Sequence, residues 1–314
     1  MAAREALTPK DLDRIPGWFW ATDQRLFSWI LSEKAVGEPP GDLLELGTYL
    51  GKSAILIGSH LRAGETLTVC DLFESDAPEE ANNAETSRSY SSLTREKFEQ
   101  NYLTFHERLP KIVHGPTSVI LDHVAPNSCR FVHVDASHLY VHVKDDILAA
   151  RRVLRPDGVV VFDDYRSVHT PGVAMAVWEA VVNLGLEPVA ISTQKLYGTW
   201  GDPGPLRERM RLWLEKTPEL WFTIDPLSDR DLLRVNEVKK PADPPVDAAT
   251  LRKLSAELKR TSAELKQAVA ESKSATASLR KATAEISLAG PVAQRAVRWT
   301  RRRLRGANKP TGKD

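Results

Sequence analysis

Two apolar runs end abruptly at carboxylates, FVHVDASH with Asp135 and His138, and VVVFDDY with Asp163 and Asp164. A run of branched apolar residues stopping at acids reads as a buried parallel strand whose carboxyl end opens onto a crevice, where open α/β sheets bind ligands. Three carboxylates and an imidazole at two such ends can share one pocket. Hard oxygen ligands suit Mg²⁺ or a similar dication, and a neutral imidazole beside them can take a proton from a substrate hydroxyl.

A second group of residues lies upstream. The segment LLELGTYLGKSA supplies a strand, a tight turn and a helix start, with Gly47 and Gly51 allowing close backbone approach. Its spacing is neither the dinucleotide fingerprint nor a Walker motif. Glu45 in the strand end would repel a phosphate and suits a cationic ligand. Asp71, closing the next strand in TVCDLF, can accept both hydroxyls of a ribose. A positively charged nucleoside satisfies both acids.

These motifs, in this order over about Ile15 to Gly201, resemble the class I S-adenosylmethionine-dependent methyltransferases, and more closely the metal-dependent macrocin and mycinamicin sugar O-methyltransferases and the cephalosporin-hydroxylase-like group. The resemblance implies that Glu45, Gly47, Tyr49, Gly51, Ser53 and Asp71 bind S-adenosylmethionine. It implies that Asp135, Asp163 and Asp164 ligate Mg²⁺ and that His138 is the general base. The family pattern Asp-Gly-x-His-x-Tyr has Ala136 in place of its glycine here, so the turn after Asp135 cannot need a strongly positive φ. The implied acceptor is a small molecule with vicinal hydroxyls, a polyol or the sugar moiety of a glycosylated metabolite or glycan. A non-catalytic methyltransferase-like scaffold and a nucleic-acid methyltransferase are the alternatives; retention of the acids and His138 favours the enzyme.

The other histidines carry less. His142, four residues after His138, reads as solvated or capping rather than as a zinc ligand, and His133, alternating with Asp135, reads as a packed side chain. His169 divides evenly between substrate contact and plain loop. Trp18 and Trp20 are expected as core anchors.

To position these groups the chain alternates strand and helix signals from DLLELGT to KLYGTWG, which predicts a largely parallel sheet flanked by helices. The last two runs, EPVAIST and KLYGTWG, are nearly contiguous and predict an antiparallel hairpin at one edge. The expected fold is therefore α/β, a Rossmann-like doubly wound sheet of seven strands with the last antiparallel, followed by a helical, coiled-coil extension. One opening helical stretch, begun at Thr8-Pro9, is expected before it, and short helices over residues 205–235 after it.

The expected divisions are 1–238 for the catalytic body, 239–248 for a proline-rich linker, 249–289 for a heptad helix and 290–314 for a basic amphipathic tail. Leu251, Leu258, Leu265, Leu279 and Ile286 share one heptad position, interrupted by Ser272. Leu254, Thr261, Ala268, Ala275 and Ala282 share the other, a poor seam for pairing. The net charge of +1 hides an asymmetry: residues 251–314 hold 16 Lys and Arg against 5 Asp and Glu, and the remainder 27 against 37. An acidic body disfavours nucleic acid, whereas the basic tail suits an anionic membrane surface, and the heptads a homo-oligomer. Two cysteines make no disulfide framework, and no signal-like or spanning apolar run occurs, so a cytoplasmic protein, peripheral at most at the inner membrane surface, is expected.

Overall fold

The computed structural model describes residues 7–32, 38–75, 93–238, 248–288 and Arg295. The chain divides into two units, one ending at Val238 and one beginning at Lys239.

In the first unit the strands are β1 (Asp42–Leu46), β2 (Leu67–Asp71), β3 (Lys111–His114), β4 (Cys129–Val134), β5 (Leu154–Phe162), β6 (Glu187–Ile191), β7 (Leu196–Thr199), β8 (Leu220–Leu227) and β9 (Arg230–Glu237). They form one sheet in the order β3-β2-β1-β4-β5-β7-β6-β9-β8. The pairs among β1 to β5 are parallel, and β7 lies antiparallel between β5 and β6. Strand order reverses between β1 and β4, the switch point where the carboxyl ends of parallel strands part to form a crevice.

The sheet has nine strands rather than seven. The expected β6–β7 hairpin forms, but β9 adds parallel to β6, and β8 closes that edge antiparallel to β9. Residues 220–237 thus form a hairpin where short helices were expected. Leu232, Leu233 and Val235 are buried, the turn passes through Ser228 at φ 59°, and Pro226 sits on the edge strand, where a missing donor costs little. Only the first part of that segment is helical, α7 (Pro203–Leu214). The opening stretch is two helices, α1 (Pro9–Leu12) and α2 (Ala21–Leu31). Asp11 caps α1 by accepting the Thr8 N–H at 2.7 Å, and an irregular segment carrying Trp18 follows.

Helices cover both faces. α2, α3 (Lys52–Ser59), α4 (Arg95–Leu103) and α7 share one core with Leu43, Phe131, Val161 and Tyr197 of the sheet. α5 (Tyr140–Val153) and α6 (Pro171–Asn183) share the other with Leu44, Val132, Val160 and Leu196. Strand alternation then dictates which side the acids take: Glu45, His133, Asp135, Asp163 and Lys195 all follow the parity of the α2 face. The second unit contains α8 (Ala248–Leu288), on which Leu258, Leu265 and Leu279 are exposed. Among the described residues no helix is long and apolar enough to cross a membrane.

Candidate active site

A cavity of about 580 Å³ opens at the carboxyl ends of β1, β2, β4 and β5, within the range of sites that enclose a cofactor or drug-sized ligand. It is lined at one end by Gly47, Tyr49, Ser53 and Asp71, and at the other by Asp135, His138, Asp163 and Asp164.

The first end is built around Asp71. Its Oδ2 accepts the amides of Thr48 and Tyr49 at 2.7 and 3.1 Å, and its Oδ1 accepts that of Phe73 at 2.8 Å. Burial pushes its pKa up despite these bonds. The loop after β1 is thereby clamped to the end of β2. Gly47, at φ 79°, is required by packing: a Cβ there would stand 2.0 Å from the Asp135 carbonyl oxygen. Gly51, at φ 92°, starts α3 and does not line the cavity. Glu45 does not line it either. It is wholly buried, its Oε1 lies 2.8 Å from His133 Nδ1, and burial pushes its pKa up to about 8.

At the second end His138 Nε2 lies 3.3 Å from Asp164 Oδ2. Asp164 takes a left-handed φ of 54°, and its amide donates to Asp163 Oδ1 at 2.7 Å. Ser167 Oγ stands 2.6 Å from Asp164 Oδ1 and 2.6 Å from the side-chain amide of Gln194. Burial would raise the Asp164 pKa, but its bonds to His138 and Ser167 hold it below the ordinary value. Tyr49, Phe73 and Asp164 are three of the non-glycine residues at positive φ among those described, and all three line the cavity; such strain persists where surrounding structure over-determines it. Ala136 is not among the positive-φ residues, as its replacement of glycine requires. His169 stands edge-on to His138 with ring centres 5.7 Å apart, and His142 Nδ1 lies 3.0 Å from Ser137 Oγ. Both line the cavity, but His138 precedes α5, so the two spaced histidines do not share a helix face.

Behind this end lies Lys195, 1 % exposed. Its ammonium donates to Asp163 Oδ2 and, at 3.1 Å, to His133 Nε2. Burial alone would lower its pKa, but the carboxylates of Asp163, Asp135 and Asp23 outweigh that and hold it above the ordinary lysine value. Burial holds His133 well below its ordinary pKa, so the ring is neutral. It serves best as a Nδ1–H donor to Glu45 and a Nε2 acceptor from Lys195. Phe27 stands edge-on to His133 at 5.1 Å, sealing the relay under α2.

Among the described residues one group has the spacing to hold a cation: His133, Asp135 and Asp163. Both ring nitrogens of His133 and both oxygens of Asp163 are already bonded. Asp164 is turned to His138 and Ser167 and lies outside that group. So arranged, these residues do not present the three-carboxylate set of a Mg²⁺ site: among the described residues Asp135 alone of the three makes no side-chain hydrogen bond, and the charge of Lys195 acts on it.

The expectation that Trp18 and Trp20 anchor the core is corrected. Trp18 and Trp20 are 67 % and 55 % exposed and line the cavity, with Trp18 stacked on Tyr49 at 5.6 Å; Phe19 between them enters the core. Of the three aromatics only Phe19, 6 % exposed, packs in the core. Sequence reasoning also missed Lys195, for which the only signal was a charged residue two before Tyr197 in a strand.

Residues 44–165 match a family described as a methyltransferase domain. Among solved structures the chain is similar to the O-methyltransferase NovP, at 18 % identity over 58 % of this chain and 81 % of that one, TM-score 0.47. It is similar to CalS11, a TDP-rhamnose 3'-O-methyltransferase in calicheamicin biosynthesis, at 18 % identity over 58 % and 80 %, TM-score 0.40. A third is the O-methyltransferase TomG from Streptomyces achromogenes, in complex with SAM, at 16 % identity over 59 % and 82 %, TM-score 0.42. No curated protein matches the chain.

Proposed function

We propose that this chain, whose residues 44–165 match a methyltransferase domain, is an S-adenosylmethionine-dependent methyltransferase that methylates a hydroxyl of a small polyol or of a sugar moiety. The observation that carries this reading is one cavity with the Gly47–Asp71 clamp at one end and the His138–Asp164 pair at the other. S-adenosylmethionine would lie against the clamp with its sulfonium facing the acids, and the acceptor would lie between the methyl group and His138. Holding the two reactants in line supplies much of the acceleration in such a transfer. When bound, S-adenosylmethionine would supply the methyl group to the acceptor oxygen, its carbon–sulfur bond breaking to leave a neutral thioether. The hydroxyl proton passes to His138, and the Asp164 carboxylate orients the imidazole and balances the charge it gains.

Mg²⁺ has no step in this mechanism: of the three carboxylates expected to hold it, Asp163 is bonded to Lys195 and the Asp164 amide, and Asp164 to His138 and Ser167. The helix of the second unit, with its exposed heptad leucines, would pair with a second copy, and the basic segment 290–314 would draw the protein to an anionic membrane surface.

Calorimetry of the full chain with S-adenosylmethionine, followed by transfer of labelled methyl to a panel of nucleotide sugars and glycosides, tests the reading. Saturable cofactor binding and a labelled ether product are expected. A well-folded protein that binds no S-adenosylmethionine would refute it; binding without transfer to any hydroxyl would favour a non-catalytic scaffold.

A further inference from the structure

Lys195 is a cation that the catalytic reading leaves unused, and it is buried against the acids of the acceptor end. Its placement is built rather than incidental. Ser192 Oγ accepts the amides of Lys195 and Gln194 at 3.0 and 3.3 Å, fixing the turn between β6 and β7 so that Lys195 enters the α2 face. From that turn Lys195 reaches Asp163 and His133, while Gln194 reaches Ser167 and, through its carbonyl, the Tyr165 amide at 3.2 Å. One turn therefore braces both members of the Asp163-Asp164 pair. Over the ammonium lie the rings of Phe19 and Phe27, 5.6 and 5.8 Å away, which keep water from screening it.

With Asp23, Asp135 is a further carboxylate acting on Lys195, and its oxygen lies within 4.8 Å of the ligand atoms of His133 and Asp163. A dication drawn to Asp135 and Asp163 would meet a fixed positive charge at close range in a poorly screened site, and the two would compete for the same oxygens. We propose that Lys195 is the resident cation of the acceptor site: it neutralises and positions Asp163, takes the place a divalent metal would fill, and leaves the hydroxyl chemistry to His138 and Asp164. This rests on reading the crevice as a methyltransferase site, and it makes Lys195 a positioning residue rather than a catalytic one.

The test is Mn²⁺ binding to the full-length protein, followed by electron paramagnetic resonance and by thermal melting, with S-adenosylmethionine affinity measured on the same samples. Wild type should bind Mn²⁺ only weakly and gain no melting temperature from it. Lys195→Met should bind it at least tenfold more tightly and be stabilised by it, and Lys195→Arg should behave as wild type. Tight Mn²⁺ binding by wild type, unchanged or weakened in Lys195→Met, would overturn the proposal. So would a folded Lys195→Met that binds no Mn²⁺ at all. If Lys195→Met does not fold, the wild-type titration decides: tight binding overturns the idea and weak binding upholds it. Loss of S-adenosylmethionine binding by wild type would count against the methyltransferase reading, and is read separately.

Discussion

The imidazole of His138 lies 3.3 Å from the carboxylate of Asp164 at the mouth of the crevice, and Asp164 is held there in a left-handed backbone conformation by Ser167 and the Asp163 carboxylate. A base oriented by a carboxylate gains most from that partner when it becomes charged. His138→Ala should therefore lower turnover about 10²- to 10⁴-fold while leaving S-adenosylmethionine affinity within a factor of about two, since the clamp around Asp71 is untouched. Asp164→Asn should lower turnover less and shift the acid limb of the pH–rate profile to lower pH, because an imidazole without its carboxylate partner gives up its proton more readily. Unchanged turnover in both variants, measured on the acceptor that wild type methylates, would remove the pair from the mechanism.

Gly47 separates β1 from the turn after β4. An added Cβ would lie 2.0 Å from the Asp135 carbonyl oxygen, and φ is 79°. Overpacking and backbone strain act together, so Gly47→Ala should cost about 2 to 4 kcal/mol of unfolding free energy and weaken cofactor binding, read by urea denaturation and calorimetry. A variant as stable as wild type would show that the two strands part more easily than their packing implies.

What the chain disclosed and what it concealed follow from range. The acids at the ends of β2, β4 and β5 were legible because a buried parallel strand is a continuous apolar run, and its end is abrupt. The β8–β9 hairpin was not legible: LWFTIDPL mixes apolar and polar residues without clean alternation, and its burial depends on β6, some 30 residues upstream. The Asp163–Lys195 pair was equally hidden. A lysine beside a hydrophobic strand normally signals an edge or a solvated end, and only the folded sheet brings it beside Asp163 and His133. The exposure of Trp18 and Trp20 escaped notice because aromatic content is a guide to the core in bulk, not residue by residue.

Acid stability should report on another buried pair. Arg130, 3 % exposed, donates to both oxygens of Glu65 at 2.8 and 2.9 Å, and the amides of Gly41 and Arg62 add two more bonds. Burial would raise the Glu65 pKa, but these bonds bring it from 4.5 down to about 2. A pKa lowered in the folded state contributes stability that is complete above pH 4.5 and is lost as pH falls toward 2. Glu65→Gln should cost on the order of 3 kcal/mol near neutral pH and flatten the stability profile between pH 4.5 and 2. Parallel wild-type and variant profiles there would assign acid sensitivity to other groups.

The helix α8 invites the opposite experiment, removal. Its leucines at 258, 265 and 279 are 66 to 73 % exposed, and a helix of 41 residues gains little stability from exposed leucines, since most helical stability comes from packing an apolar face. The heptad stripe can bury those leucines against the same stripe of a second copy, but Ser272 interrupts it and the partner positions are mostly Ala and Thr, so the association should be weak. A chain ending at Asp247 should therefore melt within about 2 °C of the full chain, keep its cofactor affinity, and sediment as a smaller species when both are compared at high protein concentration. Loss of cofactor binding on truncation would show that the second unit supports the first. Identical sedimentation of the two chains would leave the heptad leucines without a partner of their own kind.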